Sequence, residues 1–378
     1  MIPWWKVEFG ECAAQAAYRA VIDRHMTMGP LTAEFEKRFA SILNVPYVIS
    51  TSSGTAALTL ALLVAGVGPG DEVIVPNRSW ISTAHAPRLL GADVVFVDVE
   101  GETPIMPAEN FAAVITPRTK AVIPVHLNGR LADMDRINAV AARHGITVIE
   151  DACQALFSRF PDNSVAGTKS FAGCYSFSIG KPISCGQGGA VATSDPEVAR
   201  RLTLARTHGT SDVTMARWEM LGGNFRFWDL PAAVALTQLD RFEERKSALI
   251  RLYRRYKERL SSMRSIRLLP DGLARGEVPI YVECLCERRG ELMKFLEGHG
   301  VQARPYYANM SSAPQFGRDE SGPYSNSDVF ASQCFVLPSG PDRDGDEIDT
   351  VLGALEAWES AATAASARER GSRGRDDV

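Results

Sequence analysis

Seven short apolar runs rich in β-branched residues, PYVIST, DEVIVP, ADVVFVDV, KAVIPV, ITVIED, CYSFS and GAVATS, recur along the first half of the chain, separated by turn residues and amphipathic stretches. Strands that alternate with helices pair mostly in parallel and need a layer of helices on each face. The chain therefore reads as α/β, with a large domain built on a mostly parallel seven-stranded sheet. Two intervening stretches are the clearest helices: TAALTLALLVAGV, from Thr55 to Val67, and LADMDRINAVAARHG, from Leu131 to a glycine stop at Gly145.

Residues 1–235, the N-terminal segment included, are assigned to this large domain. Residues 236–360 read as a smaller α+β domain, opened by the charged helical stretch TQLDRFEERKSALIRLYRRYKERL and containing the alternating run VPIYVECLCE and the helix ELMKFLEGHG. The tail, 361–378, has almost no large apolar residue and many charges, so it is expected to be disordered.

Composition excludes several classes of function. A formal charge of −4 on 378 residues creates no global field for nucleic acid or an anionic membrane. No run of roughly 18 apolar residues is present, and the opening MIPWWKVEFG lacks the basic flank and apolar core of a signal peptide. No nucleic-acid or membrane partner and a cytoplasmic location are expected. The seven cysteines are scattered and the six histidines isolated, which argues against a disulfide framework and against a metal site.

In open α/β sheets ligands sit beyond the carboxyl ends of strands, so the polar residues after each run are the candidates. PYVIS is followed by TSSGTAAL, a small-residue turn opening into a helix, which suits either an anion site or a simple N-cap. DEVIVP leads to Trp80, an indole able to stack on a flat ring or to fill core. ITVI is followed by Glu150, Asp151 and Gln154. A carboxylate buried there needs a cation, such as a protonated pyridine nitrogen. CYSFS leads to Ile179-Gly180-Lys181-Pro182 and a glycine-rich segment. A lysine among small and apolar residues has its amine pKa lowered, which favours Schiff-base formation. His126 follows another strand and fits a substrate contact or a structural role equally well. Arg304, Tyr306, Tyr307 and His299 are candidates to border the cleft, with no role assigned by spacing.

In order and spacing, MGPLTAEFEKRFA, SSGTAAL, PVHLNGRLADMD, IEDACQA, YSFSIGK, GQGGAV, NFRFWDLPAA and VLPSG resemble the DegT/DnrJ/EryC1/StrS sugar aminotransferases, over nearly the whole chain. The resemblance implies a pyridoxal-phosphate (PLP) transferase of fold type I. Lys181 resembles the Schiff-base lysine, Asp151 the partner of the pyridine nitrogen, Gln154 the residue at the ring hydroxyl and Trp80 the stacking aromatic. Gly54, Thr55, Ala56 and Ser176 match phosphate-binding positions. Asn224 matches an asparagine that reaches the phosphate from a second subunit, and Arg226 an arginine that meets the donor carboxylate. The implied enzyme is a homodimer with shared active sites. It takes an amino group from glutamate or glutamine, passes through the pyridoxamine phosphate form, and aminates a keto-sugar. Pro182 and Gln187 depart from the pattern and bear on the lysine loop. The alternatives are a cyclitol ketone as acceptor and a PLP-binding regulator without turnover; the dehydratase branch, with histidine at the lysine position, is opposed by Lys181.

Overall fold

The computed structural model describes residues 1–214, 217–317, 322 and 324–373, with side chains through Ala361. Each of the seven apolar runs forms a strand: β1 (Tyr47–Thr51), β2 (Glu72–Pro76), β3 (Asp93–Val97), β4 (Thr119–Val122), β5 (Thr147–Asp151), β6 (Ala172–Ser176) and β7 (Gly189–Thr193). They lie in the order β1-β7-β6-β5-β4-β2-β3. β7 runs antiparallel to both of its neighbours, and the remaining pairs are parallel. Because β1 and β6 both oppose β7, β1 shares the direction of β2 to β6. Six strands thus deliver their carboxyl ends to one edge of the sheet, where the polar residues after them collect.

Alternation along each strand feeds two cores. In β5, Val148 packs with Phe35, Phe39 and Tyr175 on one face, while Ile149 packs with Leu58, Leu60 and Leu62 on the other. The helix Gly54–Val64 is buried on nearly every side, as an apolar helix wedged between a sheet and other helices must be. The helix Met134–His144 starts later than its periodicity suggested, because the Asp133 side chain caps it by accepting from the Arg136 N–H. It stops where expected, at Gly145 in the left-handed region.

The smaller sheet contains β8 (Arg267–Leu268), β9 (Val282–Leu285), β10 (Arg304–Pro305) and β11 (Cys334–Leu337), ordered β10-β11-β9-β8 and antiparallel throughout. Its core joins Cys284 and Cys286 to Tyr256, Leu292 and Trp358. Position 235 falls inside the helix Asp229–Leu239; the chain turns instead at Asp240 and Arg241, before the helix Phe242–Leu260. The N-terminal segment, grouped by sequence order with the large domain, makes its backbone bonds to the small one: Ile2 with Gly300 and Gln302, and Trp4 and Lys6 with Ser339. The final helix, Gly345–Arg373, continues through 361–373, where disorder was expected. The segment AATAASARER is poor in core-forming residues but rich in alanine, which favours helix without needing burial. Residues 374–378 lie outside the described residues. No helix among those described is long and apolar enough to cross a membrane.

The domains are joined by a buried polar seam. Asn128, left-handed at φ 53°, accepts from the N–H groups of Ile280 and Tyr281 and donates to Tyr281 O and Glu283 Oε2. Arg130 pairs with the same carboxylate at 2.6 Å. Gly129 must be glycine: its φ is +80° and a Cβ would stand 2.0 Å from Val278 O. A seam satisfied on both sides fixes the small domain over the edge of the large sheet.

Candidate active site

That edge and the small domain enclose a cleft of about 380 Å³. Residues 53–55 reach it after β1 and Trp80 after β2; Asp151 ends β5 and Gln154 follows it, Ser176 ends β6 and Lys181 follows it; Arg304, Tyr306 and Tyr307 close it from the small domain.

At the end of β1, Ser53 caps the helix Gly54–Val64. Its Oγ accepts from the Ala56 N–H and its carbonyl from Ala57. Ala56, expected among the anion-binding positions, therefore has its amide already engaged. Gly54 and Thr55, on the cleft wall, carry the leading N–H groups of the helix, which have no intrahelical acceptor. A Cβ on Gly54 would lie 3.0 Å from both Cys153 Sγ and Ser176 Cβ, so glycine keeps the floor of this cradle open.

Asp151 and Glu150 are adjacent acids with opposite surroundings, because side chains alternate across a strand. Glu150 is fully buried away from the cleft and accepts from the Gly167 and Lys169 N–H groups and from Ser170 Oγ. His126 completes its shell. The ring Nδ1 accepts from the Ala132 N–H, so Nε2 carries the proton and donates to Glu150 at 2.9 Å. With no exposed surface and both nitrogens engaged, His126 is a structural histidine here, and it is not brought to the cleft. Asp151 faces the cleft and is 6% exposed. It accepts from Thr83 Oγ1 at 2.8 Å and from the Cys153 N–H at 3.2 Å, and Ser79 in turn contacts Thr83. Among the described residues no lysine, arginine or histidine reaches ion-pair distance of it.

Lys181 stands on the loop between β6 and β7. Burial holds its amine below the ordinary lysine value, against the opposing influence of the Asp151 charge. Burial, followed by the Asp151 charge, pushes the Cys153 thiol well above its usual range, so Cys153 stays a neutral neighbour. The Gln154 side chain is fixed: Oε1 accepts from the Asn128 N–H and the Tyr306 hydroxyl, and Nε2 donates to Tyr307.

Trp80 is 53% exposed, which removes the core-packing alternative, and meets the Tyr307 ring edge-on at 5.6 Å. Tyr306 and Tyr307 stack at 4.2 Å. Their backbone is held by Arg78, which donates to the carbonyls of both residues. Sequence reasoning missed Arg78, together with Trp4 and Tyr281, which line the mouth. Arg304 lies 4.5 Å over the Trp4 ring. His299 is elsewhere, with its Nδ1 at the Phe295 carbonyl. Asn224 and Arg226 do not line the cleft of their own chain. Arg226 Nε donates to Asn224 Oδ1 at 2.9 Å in an exposed bond, and Trp218, Leu221 and Trp228, close in sequence, are exposed as well.

A model of the DegT/DnrJ/EryC1/StrS aminotransferases matches residues 10–356. The chain belongs to that family. It is 34% identical to the dTDP-3-amino-3,4,6-trideoxy-alpha-D-glucose transaminase of Streptomyces venezuelae, over 93% of this chain and 94% of the relative. It is 32% identical to the GDP-perosamine synthase of Caulobacter vibrioides, over 87% and 90%. Among solved structures, S. venezuelae DesV in complex with a ketimine intermediate superposes with a TM-score of 0.89 at 31% identity, covering 95% of this chain and 98% of that one. The aminotransferase thus shares both sequence and architecture with nucleotide-sugar transaminases over nearly its whole length.

Proposed function

We propose that this aminotransferase carries pyridoxal 5′-phosphate on Lys181 and transfers an amino group from glutamate or glutamine to a nucleotide-linked keto-sugar, in amino-sugar biosynthesis. One observation carries the reading: the Asp151 carboxylate is buried in the cleft that Lys181 also lines, hydrogen-bonded by neutral donors alone and outside ion-pair distance of any cationic side chain among the described residues. A buried carboxylate is costly without a cation, and the protonated ring nitrogen of this cofactor is a cation of the right kind. The anion cradle fits the same group, since helix-start amides at Gly54 and Thr55 and the Ser176 hydroxyl suit a phosphate.

When bound, the cofactor supplies an electron sink for the charge left as the donor's α-carbon loses its proton. The chain does the rest. Asp151 holds a proton on the ring nitrogen, while Thr83 and the Cys153 N–H keep its carboxylate aimed. The Lys181 amine, whose pKa burial lowers, would take the proton from the donor's α-carbon and deliver it to the cofactor carbon to which the donor nitrogen is joined. Gln154 is held by Asn128, Tyr306 and Tyr307 so that its amide meets the ring hydroxyl in one orientation. The aromatic wall of Trp80, Tyr306 and Tyr307 excludes water from the reacting carbon. Single-turnover assays of the pyridoxamine form test the acceptor. A nucleotide-linked keto-sugar is expected to consume it, and an inosose is not; the reverse result would move the enzyme to cyclitol chemistry.

We also propose a homodimer in which Asn224 and Arg226 complete the partner's cleft. Their position outside their own cleft supports this, as do the exposed apolar side chains Trp218, Leu221 and Trp228 near them in sequence. Subunit exchange between a Lys181→Ala chain and an Asn224→Ala, Arg226→Ala chain should restore one intact site of two, or about half the parental activity per dimer. Inactive heterodimers, or an active monomer, would end the shared-site reading.

A further inference from the structure

The helix Phe242–Leu260 turns a stripe of apolar and aromatic residues inward: Phe242, Leu249, Leu252, Tyr253, Tyr256 and Leu260. Arg245 interrupts this stripe and has no exposed surface. Apolar groups of similar volume commonly replace buried charges at no loss of stability, so packing gives no reason for a guanidinium here. Its hydrogen bonds do. Nη1 donates to the Pro182 carbonyl at 2.7 Å and Nη2 to the Glu8 carbonyl at 2.6 Å. Asp342 balances the charge at 3.4 Å. Nε is buried without a partner among the described residues, so the geometry serves the two carbonyls at the expense of the third donor.

Pro182 directly follows Lys181, and the residue directly before it is held in the same manner. The Tyr281 hydroxyl donates to the Gly180 carbonyl at 2.8 Å. The two peptide carbonyls that flank the lysine are thus each fixed by one donor, from two elements far apart in sequence. Pro182 adds stiffness by locking its own φ. Arg245 and Tyr281 also reach the N-terminal strap, through Glu8 O and through the Trp4 and Trp5 rings at 5.8 and 5.3 Å.

We propose that Arg245 and Tyr281 are positioning residues for Lys181, clamping the backbone on either side of it so that its amine returns to one point whenever it is released. The proposal rests on the reading of Lys181 as the cofactor lysine. A lysine that must be bound, freed and used as a proton carrier gains from a main chain that does not follow it.

The test uses Arg245→Met, which restores the apolar stripe, Arg245→Lys, which can reach only one carbonyl, and Tyr281→Phe. Two readouts are needed: steady-state kinetics of the holoenzyme, and the pH profile of Lys181 acylation, read by peptide mapping, in the full chain stripped of cofactor. The Lys181 amine faces Asp151 and Cys153, with Arg304, Tyr281, Tyr306 and Tyr307 around the same cleft; all but Tyr281 are unchanged throughout. Arg245→Met is expected to fold, to lose about tenfold in kcat with acceptor KM within about twofold, and to move Lys181 acylation toward the profile of the exposed lysines. Arg245→Lys should recover part of both, and Tyr281→Phe should shift both in the same direction. A folded Arg245→Met with parental kcat and profile overturns the clamp. Should that variant not fold, an unchanged profile in Tyr281→Phe overturns it instead. Borohydride reduction separates the two readings: a covalent mark on a lysine other than Lys181 defeats the cofactor assignment, whereas a mark on Lys181 with unmoved variants defeats only the clamp.

Discussion

Lys181→Ala is expected to give a folded protein that binds PLP only reversibly and has lost at least about a thousandfold in turnover, since one side chain supplies both the covalent anchor and the moving proton. The parent should be yellow. Borohydride should fix the cofactor to a single peptide containing Lys181, and in the variant dialysis should remove both colour and label. Lys120, Lys169 and Lys246 serve as internal controls, because labelling of any of them would put the active site elsewhere. Folding is checked separately by thermal unfolding, which the substitution should move little: Lys181 lines a cleft and contributes to neither core.

Asp151→Asn is expected to retain the fold while losing about a hundredfold to a thousandfold in the donor half-reaction. The amide oxygen can keep the Cys153 N–H, and the Thr83 hydroxyl, which the second carboxylate oxygen accepts in the parent, can turn to accept from the amide nitrogen, but the amide carries no charge to hold a proton on the ring nitrogen. Cofactor affinity must be titrated in the same experiment, so that loss of binding is not mistaken for loss of chemistry. Near-parental half-reaction rates at full occupancy would remove Asp151 from the mechanism.

What the sequence made legible follows from local physics. Short apolar runs, β-branched in all but CYSFS, marked all seven strands, and the rule that ligands lie beyond strand ends singled out Lys181, Asp151, Gln154, Trp80 and Gly54, all of which line one cleft. The same rule misdirected His126, which also follows a strand end but whose ring turns to Glu150 on the far side of β5. Nothing in one dimension separates those cases, since they differ only in which way the chain bends. Trp4, Tyr281 and Arg78 were out of reach for a related reason. Each owes its place to partners more than 150 residues away: Trp4 to Ser339, Tyr281 to Asn128, Arg78 to Tyr306 and Tyr307. The terminal helix was misread through a different error, in which missing core residues were taken for missing structure although alanine sustains a helix by propensity alone.

The pairing of Ile2 with Val301 sets a timetable for biosynthesis. The strap leaves the ribosome well before its partner, which is made about 300 residues later, a wait of roughly 15–60 s at ordinary elongation rates. Through that interval Trp4 and Trp5 have no wall to join, and the growing chain carries two bare indoles that a chaperone can grip. Tyr306 and Tyr307 emerge within the same stretch as Val301, so the cleft cannot close around a cofactor before most of the small domain exists. Retention of a cofactor by a nascent chain would then report the arrival of these small-domain residues, well after the large sheet has had time to form.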